Sequence, residues 1–242
     1  MPHTTLTVFT LKPGNRRWGL AQMGTSPASL HRVPGLRFFK LMGSGANNGF
    51  GFWPNLDRYG FMGVWEDAAA AAVFFGQHSL WATYKVRSSE MWTVQLAPLK
   101  AHGLWDGKTP FDYPISQLPA ENAPLAVLTR ASIRLRKTPR FWQFVEPTSA
   151  ALAQAGGVRA AIGLGELPLV RQATFSVWES AQAMQEYAYR DVRHREVIKL
   201  TRSEQWYGEE LFARFQVLAS SGTLDGQDPL AGLLAAPESY SR

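Results

Sequence analysis

The chain has no cysteine, which removes disulfides, thiolate nucleophiles, iron–sulfur clusters and cysteinate haem ligation together. Any metal must be held by nitrogen or oxygen. No run of about 20 apolar residues occurs, so no membrane-spanning helix is expected. Met1-Pro2-His3-Thr4-Thr5 offers no basic stretch followed by an apolar one, so no secretory signal is expected either. These absences lead to the expectation of a cytoplasmic protein, with at most a peripheral contact with the inner membrane. Zinc-finger, helix-turn-helix and RNP-like signatures are also missing. A net charge of +6 therefore does not point to nucleic acid. No histidine pair has HxxxH or HxxE spacing, Gly43-Ser44-Gly45 and Gly163-Leu164-Gly165 do not fit a dinucleotide fingerprint or a P-loop, and no G-x-S-x-G occurs. The two glycine strings read as tight turns after matching strands, and a hydrolase finds no support.

What the chain does have is apolar bulk: 45% hydrophobic residues and nine tryptophans in 242. It also repeats itself. Gly60-Phe61-Met62-Gly63-Val64-Trp65-Glu66-Asp67 faces Ala173-Thr174-Phe175-Ser176-Val177-Trp178-Glu179-Ser180, 113 residues further on. Arg87-Ser88-Ser89-Glu90-Met91-Trp92 faces Thr201-Arg202-Ser203-Glu204-Gln205-Trp206 at 114, and Leu104-Trp105-Asp106-Gly107 resembles Leu224-Asp225-Gly226 near 119. A tandem duplication follows.

Within each copy the hydrophobic period alternates between two and 3.6. The first copy reads as strand 5–11, helix 17–32, strand 36–42, strand 59–65, one helix from 66 to 86 and strand 91–97. The second reads as strand 125–134, helix 139–155, strand 158–164, strand 171–178, helix 180–200 and strand 211–219. Each is β-α-β-β-α-β. The expected class is α+β, two tandem ferredoxin-like units forming a fold of the dimeric α/β-barrel type. The units should occupy 1–112 and 124–230, joined by a Pro- and Gly-rich link, with 231–242 as a tail. Arg130 to Lys137 reads as a strand with one basic face, suited to phosphate, a membrane surface or an anionic cofactor.

Five histidines are the first place to look for a ligand. His3 falls in a terminal segment expected to be loose, His31 at a helix end, His78 and His194 in the second helix of each copy, and His102 in a loop. Haem needs one protein ligand. His194 suits it, with Tyr187, Val197 and Ile198 at helical distances and Arg190, Arg193 and Arg195 near enough for porphyrin carboxylates. A solvated basic helix with an incidental histidine fits the same residues. At an offset of 114, His194 faces Leu80, so the site would belong to the second copy alone.

As a set, Gly35-Leu36-Arg37-Phe38-Phe39-Lys40-Leu41-Met42-Gly43-Ser44-Gly45, Trp92-Thr93-Val94, Gly103-Leu104-Trp105-Asp106-Gly107, Leu128-Thr129-Arg130-Ala131-Ser132-Ile133-Arg134, Ile162-Gly163-Leu164-Gly165-Glu166-Leu167-Pro168, Gln172 to Trp178 and Trp206 to Phe215 resemble the spheroidene monooxygenase family of carotenoid biosynthesis. The resemblance implies a haem-dependent monooxygenase that oxidises an acyclic carotenoid with dioxygen and a reductant such as ferredoxin. It implies haem b on His194, with Tyr187, Arg190 and Arg193 beside it, and a substrate site on the opposite side. Polar candidates there are Lys40, Arg171, Gln172, Thr174 and Ser176. By strand alternation Gln172, Thr174 and Ser176 share one face and Arg171 lies on the other. A haem peroxidase or dehydratase acting on a small substrate, and a non-catalytic carrier of haem or lipophiles, are the competing expectations. A homo-oligomer is compatible with all three.

Overall fold

The computed structural model describes residues 2–47, 49–111, 122–190 and 192–234. The first copy contributes β1 (His3–Leu11), α1 (Arg16–Leu30), β2 (Leu36–Gly45), β3 (Pro54–Trp65), α2 (Ala68–Gln77), α3 (Ser79–Arg87) and β4 (Ser88–Gly103). The second contributes β5 (Leu125–Ile133), α4 (Thr138–Ala153), β6 (Val158–Leu167), β7 (Arg171–Trp178), α5 (Ala181–Arg190), α6 (Val192–Ser203) and β8 (Tyr207–Gly222). All eight strands pair antiparallel into a closed barrel ordered β1-β3-β2-β6-β7-β5-β8-β4. Each half is the ferredoxin-like sheet with its fourth strand beside its first, and the halves meet at β2–β6 and β4–β8. The ring of strands closes at β2–β6 through two residue pairs, Gly43 with Gly165 and Ser44 with Leu164.

Strand registers define which residues of the two copies are equivalent. Phe9 pairs with Tyr59 as Ala131 pairs with Gln172, and Leu6 pairs with Val94 as Leu128 pairs with Ala213. The offset is thus 122 for β1 and β2, 113 for β3 and 119 for β4. Two length differences account for the changes. The first copy has a longer β2–β3 loop, and the second has extra residues between β7 and β8. The sequence match of Glu90 and Trp92 to Glu204 and Trp206 is therefore out of register; these residues correspond to Glu209 and Leu211.

The two glycine strings are strand, not turns. Gly43 pairs with Gly165 and Ser44 with Leu164, at the seam between the copies. Main chain packs where side chains would be: a Cβ on Gly163 would lie 2.3 Å from the carbonyl oxygen of Gly49. Ser44 Oγ donates to the Gly163 carbonyl at 3.0 Å.

The long helix expected after β3 is broken into two. Asp67 caps α2 by accepting from the Ala70 amide at 2.8 Å, as Ser180 does from Ala183 at 3.1 Å. His78 ends α2 in extended conformation and caps α3, its Nδ1 accepting from the Leu80 amide. A residue with free backbone geometry plus a side-chain acceptor restarts the helix in a new direction. His3 is not loose but buried in β1; burial pushes its pKa down, with Asp67 partly opposing. Leu230, Leu233 and Leu234 pack on the barrel core, so the chain stays attached past 230, while the remainder of the expected tail, 235–242, lies outside the described residues. No helix among the described residues is long and apolar enough to cross a membrane.

Strand alternation separates two kinds of interior. Leu6, Val8, Met62, Val94, Leu128, Phe175 and Phe215 fill the barrel. The opposite faces of the two half-sheets meet their own helices.

Candidate functional site

In the first copy the layer between sheet and helices is closed by rings. Phe9, Tyr59, Phe61 and Trp65 from the sheet meet Phe74, Trp81 and Tyr84 from α2 and α3, all buried. The Phe61 centroid lies 5.6 Å from Phe74 and 5.7 Å from Trp81, and Phe9 lies 4.9 Å from Tyr84. Such packing leaves no room for a guest.

The second copy keeps the frame and loses the filling. Trp178 stands for Trp65, and Tyr187 stands for Phe74, their rings 5.3 Å apart where the first copy has 5.1 Å. Between them, Phe9 is replaced by Ala131, Tyr59 by Gln172, Phe61 by Thr174, Leu41 by Gly163 and Phe39 by Ala161. Gln172 and Thr174 are half-buried where Tyr59 and Phe61 are buried, and Thr129 is exposed where Thr7 is fully buried. Every large sheet side chain at the centre of the first copy's layer has become small or polar, and solvent reaches the face at Thr129, Gln172 and Thr174.

The α2/α5 offset of 113 continues into the next helix, since α3 begins at Ser79 and α6 at Val192. His194 therefore corresponds to Trp81, not to Leu80. In the first copy that position sends an indole into the layer. Arg190, His194 and Arg193 are placed by their helix backbone only; their side chains lie outside the described residues. Tyr187 is in the layer, against Trp178.

Two further groups reach this face and have no counterpart in the sequence reading. The first copy's β2–β3 loop crosses the seam, lays Gly49 on Gly163 and packs the half-buried Phe50 against the second copy's helix-facing cluster. Arg214, opposite Val127 on β8, has its guanidinium 5.5 Å from the Phe212 ring, and its buried Nε has no hydrogen-bond partner among the described residues. A half-buried cation with an unanswered donor beside small and hydroxyl-bearing residues suits a flat apolar group with an anionic edge. Gln172, Thr174 and Ser176 do share this face, but Ser176 already accepts from Trp178 Nε1 at 3.0 Å.

Lys40 and Arg171 are elsewhere, at the barrel mouth on the other side of the sheet. Arg130 is 1% exposed, so the expected basic face of its segment is broken: the strand ends at Ile133, and Arg130 points into the barrel. There it meets Glu209, Glu166 at 3.4 Å and Asp106 at 3.3 Å. Lys40 binds Asp106 and Glu166, the latter at 2.6 Å, Arg171 reaches Asp106 at 3.3 Å, and Trp105 Nε1 donates to Glu166 at 2.7 Å. Glu209 also accepts from the amides of Asp106 and Gly107. Burial alone would raise both carboxyls. The amides and Arg130 at Glu209, and Lys40, Arg171 and Arg130 at Asp106, outweigh it and hold them below their ordinary range. Three cations and three carboxylates satisfy one another, which is the chemistry of a strut. The other mouth has the same turn and glutamate, with Glu90 binding the amides of Asp225 and Gly226 and Arg58 binding Asp225, but Val8, Ile162 and Ser44 where this one has Arg130, Lys40 and Glu166.

No family model matches the chain. It is 37% identical over 239 residues to the spheroidene monooxygenase of Cereibacter sphaeroides, covering 98% of this chain and 73% of that one. It is 38% identical over 224 residues to the spheroidene monooxygenase of Rubrivivax gelatinosus, covering 92% and 84%. Among solved structures, an aldoxime dehydratase superposes with a TM-score of 0.61 at 12% identity, over 98% of this chain and 88% of that one. This last likeness is one of fold.

Proposed function

Because the chain belongs to the spheroidene monooxygenase family, we propose that it is a monooxygenase acting on a carotenoid-like hydrocarbon, with haem b carried on His194 between the second sheet and α5–α6. The observation that supports this most is the replacement of the first copy's Phe9, Phe39, Tyr59 and Phe61 by Ala131, Ala161, Gln172 and Thr174 beneath the helix that bears His194 at the Trp81 position. A layer emptied on one side of a duplicated fold is the place a duplicated scaffold makes for a guest. When bound, haem supplies dioxygen activation, with electrons from a donor such as ferredoxin.

The residues of the chain divide the remaining work. Ala131 and Ala161 give an apolar wall that a hydrocarbon can approach closely, bounded at Gly163 by the Gly49 main chain. Thr129, Thr174 and Gln172 present hydroxyl and amide groups, which can orient a polar atom or hold a proton beside it. Phe50 excludes water where the loop crosses Gly163. Arg214, with Arg190 and Arg193 on the neighbouring helices, supplies cations for carboxylate groups. Lys40 and Arg171 act through the barrel-mouth network and set the position of β2 and β7.

Hemin titration of the purified chain tests the reading. A Soret band that saturates at one equivalent and is lost in His194→Ala is expected. Carotenoid turnover should then require dioxygen and reductant; turnover driven by peroxide alone would assign a peroxidase instead. A chain that takes up no hemin, or a His194→Ala variant with an unchanged spectrum, overturns the haem assignment.

A further inference from the structure

One rim, where the first copy's β2–β3 loop meets the second copy, exposes side chains that a solvated protein ordinarily hides. Trp53 is 74% exposed, Phe52 52%, Leu135 74% and Leu167 51%. They form one region rather than scattered tips. Phe52 packs on Trp53 at 5.6 Å and on Trp142 at 5.7 Å; Trp142 Nε1 donates to the Leu169 carbonyl, and the Val170 carbonyl accepts from Ile133 two residues before Leu135. An exposed apolar region of this extent marks an interaction surface.

Its border is cationic. Arg134 and Arg136 flank Leu135 and are exposed, and Lys137 and Arg140 follow at the start of α4. Glu204 answers Arg140 at 3.7 Å, leaving an excess of positive charge around the apolar tips. Tryptophan and phenylalanine at the centre with arginine and lysine beside them is the pattern of a surface that seats in the headgroup region of a bilayer. A protein partner would demand a shaped, complementary patch. Here the large side chains protrude from a loop and a turn, as insertion into a fluid phase requires. We propose that this rim docks on a membrane surface rich in anionic lipid, with Phe52, Trp53 and Leu135 inserted at the acyl boundary and Arg134 and Arg136 on the phosphates. The docking rests on this surface alone and stands independently of the haem assignment. The geometry also gives it a use: loop 46–53 that presents Trp53 outward turns Phe50 inward onto the open face, so a bilayer-dissolved hydrocarbon would meet the protein at that face.

Vesicle sedimentation of the full chain tests this, comparing phosphatidylcholine with vesicles in which about a third of the lipid is phosphatidylserine. Binding to the anionic vesicles that weakens with salt is expected. Phe52→Ser with Trp53→Ser should reduce it more than about tenfold, and Arg134→Gln with Arg136→Gln by about 30-fold. Brominated lipid should quench a component of the tryptophan emission that disappears in Trp53→Ser. All these side chains are exposed, so circular dichroism and melting should be unchanged; Leu135→Ser is a second, milder probe. Absence of binding, or binding indifferent to both double variants, overturns the proposal. So does Trp53-dependent self-association in sedimentation velocity, which would show that a second copy of the chain covers the rim.

Discussion

Phe61 and Thr174 occupy the same place in the two copies, and the contrast between them can be measured. Phe61 is fully buried and touches the rings of Trp65, Phe74 and Trp81. Those neighbours are held by further rings, so the layer cannot collapse into a vacancy. Phe61→Ala should therefore cost about 3–5 kcal/mol, the range for a large buried aromatic with little relaxation. For a chain of this size that lowers Tm by about 10 °C. Thr174→Phe restores the first copy's ring in the second. If the face is open, the new ring has somewhere to go, and the change in stability should stay within about 1 kcal/mol. The same variant should refuse hemin. The assay is urea unfolding of cofactor-free protein followed by far-ultraviolet circular dichroism, with hemin titration on the same samples. A loss of about 2–3 kcal/mol in Thr174→Phe, the penalty of overpacking a filled core, would refute the claim that the layer is open. Full hemin uptake by a stable Thr174→Phe would refute its use.

The barrel-mouth network predicts both a mutational and a pH effect. Arg130→Met leaves Glu209 and Glu166 without their shared cation and should cost about 3–5 kcal/mol. Because Asp106 and Glu209 titrate lower in the folded chain than when unfolded, their stabilisation is complete above the ordinary carboxylate range and is lost as pH falls through the lower folded values. Unfolding midpoints measured between neutral and acid pH should fall in that direction, less steeply in Arg130→Met. At the seam, Gly163→Ala must displace the Gly49 main chain; limited proteolysis should then cut within 46–53 while the barrel remains intact.

The period-two and 3.6 patterns carried the element order into each copy, because burying one face of a strand or helix imposes them directly. Three features escaped them. The glycine strings read as turns because glycine usually marks one, whereas here main chain from the other copy takes the place of Cβ. The helix break at His78 rests on one histidine capping with Nδ1, which no composition reveals. The alignment of His194 failed by one position because Glu204 and Trp206 imitate Glu90 and Trp92 on the wrong side of an insertion. Aligned through the strand registers instead, the same sequence displays Phe9/Ala131, Tyr59/Gln172 and Phe61/Thr174 in a row. The candidate face was thus present in the letters, but the offset needed to read it changes twice along the chain. Arg130 was legible only as a charge; that it points inward depends on carboxylates from β6, β8 and the loop after β4.

The seam at Gly43 and Gly165 carries a consequence for how such a face can arise. In a barrel assembled from two identical chains, each substitution is written twice, so exchanging rings for alanine and threonine would hollow out both halves at once. Joining the halves in a single chain frees one from the other. The first can remain a dense block that keeps the barrel folded, while the second gives up its filling and borrows a loop from its neighbour. Mutational tolerance should accordingly be lopsided, with the half that carries the candidate face being the half that contributes less to holding the molecule together.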